Sequence, residues 1–298
     1  MTQKHAYLIM AHHELYVLKQ LLSALDHERH DFFLHIDSKS VIKPSQLQQV
    51  VTKGNLYFTQ QTDVHWGGYS QINAELVLLQ MATATGKYAY YHLLTGVDLP
   101  LKSPNQLLQF FDTCGGVEFI SFNTWTPKDN ERVLFKYPFQ DTLYRGFWEK
   151  KLRRAGVLWQ RLVRYTRPQA PITYGLGSAY FDITDAMARY VCAQKQWIQH
   201  TFKDTFCADE VFLQTLYLNM PHANKRFESH LEDTFIEKTY HDVLRAIDWK
   251  RGDPYTYTMQ DFSYLVQSPF LFARKFSAQK DKQIIDELMN HIRHENSI

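Results

Sequence analysis

The sequence predicts an α/β fold in one large domain: a mainly parallel sheet flanked by helices on both faces. Three observations carry that reading. Short apolar runs alternate with longer segments of helical periodicity through residues 1–120, the rhythm of repeated β-α-β units. The chain has 298 residues, 45% of them hydrophobic and 15% aromatic, enough to bury one large core. No internal repeat, low-complexity tract or long linker marks a boundary within it.

Taken in order, Ala6 to Ala11 is an unbroken apolar run and reads as the first strand. Further strands are expected at Phe32 to Ile36, Leu56 to Thr59, Tyr88 to Leu94 and Val117 to Ser121, with helices between them near 14–25, 45–52, 70–83 and 104–112. Ligands of such sheets bind beyond the carboxyl ends of the strands. That rule marks His35, Asp37 and Lys39 at one strand end and Thr95 to Asp98 at another, with Pro100 and Lys102 following. From Thr124 to Gln140 the chain is polar and aromatic without periodicity and reads as loop. From Arg145 to Pro168 one acidic residue stands against eight basic ones in an amphipathic pattern with two tryptophans. Such a segment fits either an anionic membrane surface or a solvated helix anchored on the core by its aromatic residues. Beyond Pro171 mixed signals return, with Gly175, Gly177 and Ser178 in a tight turn before a strand from Ala179 to Ile183. Asp209 and Glu210 precede apolar residues at helical spacing (Val211, Phe212, Thr215, Leu216), which places both in the first turn of a helix. A short apolar strand then leads into Arg274 and Lys275.

Composition removes several function classes. A net charge of +2 is too small for the basic field of a nucleic-acid binder. Cys114, Cys192 and Cys207 are odd in number and widely spaced, which predicts free, mostly buried thiols in a reducing compartment. No apolar run reaches membrane-spanning length. The chain has no GxGxxG or GxxxxGK[ST] phosphate loop, no HExxH or CxxC zinc motif and no GxSxG elbow. The carboxylate pair is suited to general-base work and the cations Arg251, Arg274 and Lys275 to a diphosphate, while on local pattern alone the first reads equally as dipole partners at a helix start and the second as surface charges flanking a strand. Many nucleotide-sugar transferases with this kind of sheet hold a divalent ion with an Asp-x-Asp pair; this chain has none, and in Asp37-Ser38-Lys39 a lysine stands where their second carboxylate would be.

Several segments in order resemble the core 2/I-branching β-1,6-N-acetylglucosaminyltransferase family, which also includes the peptide O-xylosyltransferases. They are Ala6–His12, His35–Ser40, Trp66–Ser70 with Ala74–Leu76, Leu94–Lys102, Gly177–Phe181, Ala208–Glu210 and Phe272–Phe276, and together they run through nearly the whole chain. The resemblance implies a GT-A type, Rossmann-like fold with a nucleotide-sugar-binding half (1–122) and an acceptor and catalytic half (123–298). It implies an inverting, metal-independent transfer from a UDP-sugar to a hydroxyl of a glycan or lipid-linked acceptor, without cofactor. Glu210 becomes the catalytic base and Lys275 a diphosphate ligand. The family's diphosphate arginine falls in a poorly matched loop, where Arg251 is the first choice and Lys250 or Arg245 the alternatives. His35 and Asp37 border the uridine, while Asp98 and Arg274 lie at the donor. Trp66, Ser178, Tyr180, Asp209, Arg132 and Lys136 are sugar contacts. Relative to animal members, the missing anchor, stem and cysteine framework point to a cytosolic, bacterial enzyme, peripheral at most on the inner face of the plasma membrane. N-acetylglucosamine is the expected sugar and xylose the alternative. Two rivals stand outside the class: a catalytically silent carbohydrate-binding protein, and a hydrolase working with Asp98 and Glu210.

Overall fold

The computed structural model describes residues 3–138, 140–141, 147–167 and 171–295, with backbone alone for 147–150. The elements in chain order are β1 (His5–Ala11), α1 (Leu15–Leu25), β2 (His30–Ile36), β3 (Asn55–Phe58), α2 (Tyr69–Thr85), β4 (Tyr90–Thr95), β5 (Asp98–Pro100), α3 (Pro104–Thr113), β6 (Phe119–Ile120), α4 (Asn130–Leu134), α5 (Phe147–Leu162), β7 (Phe181–Thr184), α6 (Asp185–Ala193), α7 (Lys195–Phe202), α8 (Phe212–Asn219), α9 (Lys238–His241), β8 (Arg245–Ile247), α10 (Phe262–Gln267), β9 (Phe272–Arg274) and α11 (Lys282–Glu295). The main sheet has the order β3-β2-β1-β4-β7-β6. Parallel pairings join β3, β2, β1 and β4, and β7 runs antiparallel to both of its neighbours. A second sheet, β5-β9-β8, pairs β5 antiparallel and β8 parallel to β9. The predicted α/β class and mainly parallel sheet are what the chain adopts.

Local chemistry explains most of the elements. β1 and β2 are buried on both faces, so they read as continuous apolar runs rather than alternating ones. One face of α1 buries Val17, Leu18, Leu21, Leu22 and Leu25. α2 is apolar around most of its circumference because it is covered by the sheet on one side and α6 on the other. At the start of α3, Ser103 and Gln106 cap each other reciprocally with Pro104 in the first turn. Two hydrophobic clusters result, one on each face of the main sheet.

Three expectations need correction. The helix expected near 45–52 is a single 3-10 turn, Pro44–Gln46, because that polar stretch has little apolar surface to bury and only Leu47 is fully covered. The expected loop from Thr124 to Gln140 contains α4. All three cysteines are free, but only Cys207 is fully buried. The basic segment does form a helix, α5; its expected ends at Arg145 and Pro168 and the Trp148 side chain lie outside the described residues.

A buried polar relay joins the two sheets. His92 on β4 donates from Nδ1 to Asp182 on β7 (2.7 Å), which leaves its Nε2 to accept from His5 Nδ1 on β1 (2.9 Å). Arg245 on β8 meets the same Asp182 with both terminal nitrogens (2.7 and 3.1 Å) and lies over the Phe272 ring of β9 (4.4 Å). Burial holds His92 below the ordinary histidine range, so the ring stays neutral and the net pairing is Arg245 with Asp182. This ion pair fixes the small sheet, and with it the chain entering Arg274 and Lys275, against the large one.

Candidate active site

The carboxyl ends of β1, β2 and β4 and the end of β9 converge on one cationic region. Asp98, buried just after β4, accepts from the Thr95 backbone N–H (2.7 Å) and hydroxyl (2.8 Å) and pairs with Arg274 (3.1 Å). Arg274 also reaches the Thr95 hydroxyl and stands 5.8 Å from the Tyr180 ring. His12 and His13, immediately after β1, lie ring to ring at 4.0 Å. Burial, then His13, push His12 down to about 4, with the cations Arg274 and Lys39 acting in the same direction and Asp37 opposing. Burial lowers His13, with Glu14 opposing and Arg274 and Lys275 adding to the shift. At the end of β2, Asp37 accepts from the Lys39 backbone (2.8 Å) and ammonium (3.3 Å), and the same ammonium bonds Asp63 and the Val64 carbonyl, so Lys39 is shared between two carboxylates. Lys275 follows directly, held by backbone bonds to Tyr255 (3.3 Å) and Tyr257 (3.0 Å). Its ammonium has no hydrogen bond or ion pair among the described residues.

Glu210 sits on a 3-10 turn, Ala208–Glu210, and not inside the helix that was expected. Val211 (φ −125°, ψ −38°) breaks the path before α8 begins at Phe212, so Glu210 stands off the helix mouth. Two glycines set this turn. Gly67, at φ +74°, accepts the Cys207 N–H (2.9 Å), and a Cβ there would press on Cys207 and Phe206. Gly177 donates its N–H to the Glu210 carbonyl (2.9 Å), and a Cβ there would collide with the Ser121 carbonyl oxygen. The Glu210 carboxylate is 40% exposed and bonds Arg132 of α4 through Oε2 (2.6 Å). Its Oε1 has no hydrogen bond among the described residues. Burial, then the Glu210 charge, raise the Tyr240 phenol, with Glu237 acting in the same direction and Arg274 opposing.

Behind Glu210 is a second acidic layer. Asp209 is buried, with one oxygen accepting from Gln71 (3.3 Å) and the other unpartnered. Burial, then the Glu210 charge, push its carboxyl up to about 7. Glu75 of α2 is buried with one unpartnered oxygen, and burial followed by the Asp209 charge raises it well above the ordinary range. A proton on this pair removes charge that the interior penalises.

Not every expected site residue joins the cluster. Asp98, Arg274 and Tyr180 meet at one strand end with Lys275 following, and Glu210 is held by Arg132. His35 is buried, with its ring fixed to Thr62 (2.7 Å). Ser178 is buried, donating from its backbone to the Ser121 hydroxyl and accepting Gln214 at its carbonyl. The Lys136 ammonium lies over Tyr165 (6.0 Å), away from Glu210. Of the three candidate diphosphate cations, Arg245 is consumed by Asp182 and Lys250 by the Thr234 carbonyl. Arg251 is gripped by Asp248 (2.5 Å) and Asp261 (2.7 Å) but stacks on Tyr255 (4.0 Å), the residue bonded to the Lys275 backbone, and its side chain is 37% exposed. Asp98, tied up by Arg274 and Thr95, has no free oxygen of the kind a second hydrolytic acid needs. Trp66 is 54% exposed and meets Phe206 edge-on, on the Gly67 side of the Glu210 turn. In sequence His12 and His13 read as a loop or cap feature without ligand spacing, although the strand-end rule marks them, and no local signal marks Tyr240. Among the described residues no three His, Cys, Asp or Glu side chains gather as a metal-ligand set.

Known proteins with similar sequence are glycosyltransferases. Xylosyltransferase 1 of Canis lupus familiaris is 24% identical over 284 residues, covering 91% of this chain and 28% of that protein. Xylosyltransferase 2 of the same species is 25% identical, covering 96% and 33%. The chain thus spans about a third of the length of these relatives. Beta-1,3-galactosyl-O-glycosyl-glycoprotein beta-1,6-N-acetylglucosaminyltransferase 3 of Rattus norvegicus is 22% identical, with 97% of this chain and 68% of that protein covered. Among solved structures, apo mouse xyloside xylosyltransferase 1 aligns over 91% of this chain and 96% of its own, with 14% identity and a TM-score of 0.38. The sequence model described as Branch, Core-2/I-Branching enzyme, matches residues 5–266, and the chain belongs to that glycosyltransferase family.

Proposed function

We propose that this chain is an inverting, metal-independent glycosyltransferase that moves N-acetylglucosamine from a UDP-sugar to a hydroxyl of a glycan or lipid-linked acceptor. The observation that carries the reading is a solvent-reachable carboxylate with one free oxygen, fixed by Arg132, in a chain whose β9 strand end presents Arg274 and, uncommitted among the described residues, Lys275. The acceptor oxygen attacks the anomeric carbon, and Glu210 Oε1 takes its proton. The bond from that carbon to the diphosphate oxygen breaks with its electron pair, and the negative charge grows on UDP. Lys275, whose ammonium is uncommitted among the described residues, meets that charge, with Arg251 across Tyr255 as its partner. Arg132 fixes the other Glu210 oxygen, so the basic oxygen has one orientation. With no Asp-x-Asp pair in the sequence and side-chain cations in its place, no metal is required. Xylose is the second reading for the donor sugar, because several similar proteins are named xylosyltransferases.

The deciding experiment is calorimetric titration of EDTA-treated protein with UDP, UDP-N-acetylglucosamine and UDP-xylose, alongside turnover in excess EDTA. Binding and turnover without metal support the proposal, and the tighter sugar identifies the donor. Activity that collapses with the metal, or no nucleotide binding at all, overturns it. Glu210→Gln should keep UDP binding and lose ~10²- to 10⁴-fold in turnover, whereas Lys275→Ala should weaken UDP binding itself.

A further inference from the structure

Helix α5 is mounted with its polarity reversed. An amphipathic surface helix ordinarily turns its apolar stripe to the core and its charges to water. In α5 the side facing the protein carries Gln160, buried and clamped to both backbone groups of Lys136 (2.9 Å each), and Arg153, whose guanidinium lies 3.9 Å from the Phe206 ring. The opposite side carries Leu152, Leu158, Trp159 and Leu162, with Val163 just past the helix end, each between 51% and 74% exposed. At 100° per residue these positions share one arc with Ala155 and Lys151, and Arg154 borders it. The sequence allowed Trp159 to be either a core anchor or an outward residue; it points outward. In residues 147–164 the single acidic residue, Glu149, faces six basic ones.

We infer that the outward face of α5 docks on an anionic lipid surface, lying in the plane of the interface with its leucines and Trp159 among the acyl chains. Charge complementarity selects this occupant: Lys151 within a leucine and tryptophan band and Arg154 at its border suit acidic headgroups above an apolar layer. With 16 residues, α5 is about 24 Å long, and none of the described helices is long and apolar enough to cross a membrane, so the helix lies on the surface. Arg161 of α5 pairs with Glu131 of α4, next to the residue that holds Glu210, so the docked helix is tied to the element that fixes the candidate base.

The test is co-sedimentation of the full chain with phosphatidylcholine vesicles, with and without phosphatidylglycerol, while tryptophan emission is followed. Binding should require phosphatidylglycerol, weaken as salt is raised, and shift the emission to the blue. Leu158→Ser combined with Trp159→Ser, and separately Lys151→Glu combined with Arg154→Glu, should each weaken partitioning about tenfold or more. Unchanged far-UV circular dichroism and unchanged UDP titration show that the variants remain folded. No binding at low salt, or binding that survives loss of the apolar pair, overturns the inference. So does a dimer, seen by ultracentrifugation, that the Leu158 and Trp159 changes dissolve, since the face would then be covered by a second copy.

Discussion

Replacing Asp209 by Asn isolates the acidic layer behind Glu210. The side chain keeps its shape, and the carbonyl oxygen can still accept from Gln71. What changes is titration. Burial, then the Glu210 charge, push the Asp209 carboxyl up to about 7, against an ordinary 3.8 for a free side chain. Between those limits the folded state binds a proton that the unfolded state has released, so stability is full at low pH and falls as pH rises. Each pH unit is worth ~1.4 kcal/mol, and the whole span approaches about 4 kcal/mol for a fully buried carboxyl. Asn cannot ionise and escapes this loss. The advantage of Asp209→Asn over the parent should therefore grow by about 3 kcal/mol between about pH 5 and about pH 8, read from urea unfolding at each pH. A pH-independent difference, or one that grows in the opposite sense, would show that Asp209 is ionised in the fold and that the Glu75 pairing does not hold a proton.

Other consequences are sharper in the site itself. Arg132→Ala removes a charge-assisted hydrogen bond to Glu210 worth ~1.5–3 kcal/mol; kcat should fall about 10- to 100-fold with UDP affinity unchanged, and equal losses in both would mean a folding defect. Arg245→Leu strands Asp182 as a buried unpaired charge and should cost ~3–5 kcal/mol in urea unfolding. The double variant with Asp182→Leu should recover much of that loss, and a double as damaged as the single would show that the ion pair is not the joint. Gly177→Ala forces a methyl into the Ser121 carbonyl, should cost ~1–3 kcal/mol by thermal unfolding, and should lower turnover because Gly177 holds the Glu210 carbonyl. Unaltered stability and rate would refute the close approach.

Periodicity made legible whatever local pattern determines. The apolar runs of β1 and β2 and the stripe of α1 stand where the sequence placed them, because burying those side chains needs only the right element at that point. The 45–52 segment failed for the same reason in reverse, since its apolar positions are too few to hold a helix on the sheet. Residue partnerships across the chain were not legible. Arg245, Lys250 and Arg251 look alike in sequence; Asp182, 63 residues before Arg245, turns one of them into core structure. The Glu210 turn was misread as helix because the break depends on Gly67 and Gly177, which approach from distant loops. Amphipathy in α5 was plain, but the side it would turn to water depended on Gln160 finding Lys136.

The position of β9 bears on how this protein is divided for experiment. The family match stops at residue 266, six residues before β9 begins. A fragment cut there appears complete by sequence similarity, yet it lacks the middle strand of the small sheet, leaving β5 and β8 with no neighbour between them. It also loses Arg274 and Lys275, together with α11, whose Ile284, Ile285, Leu288, Met289 and Ile292 are buried against the rest. Such a fragment would expose the backbone edges of both strands and a broad apolar surface, and its insolubility or inactivity would say nothing about the chemistry of Glu210. The smallest unit on which the site can be assayed extends through α11.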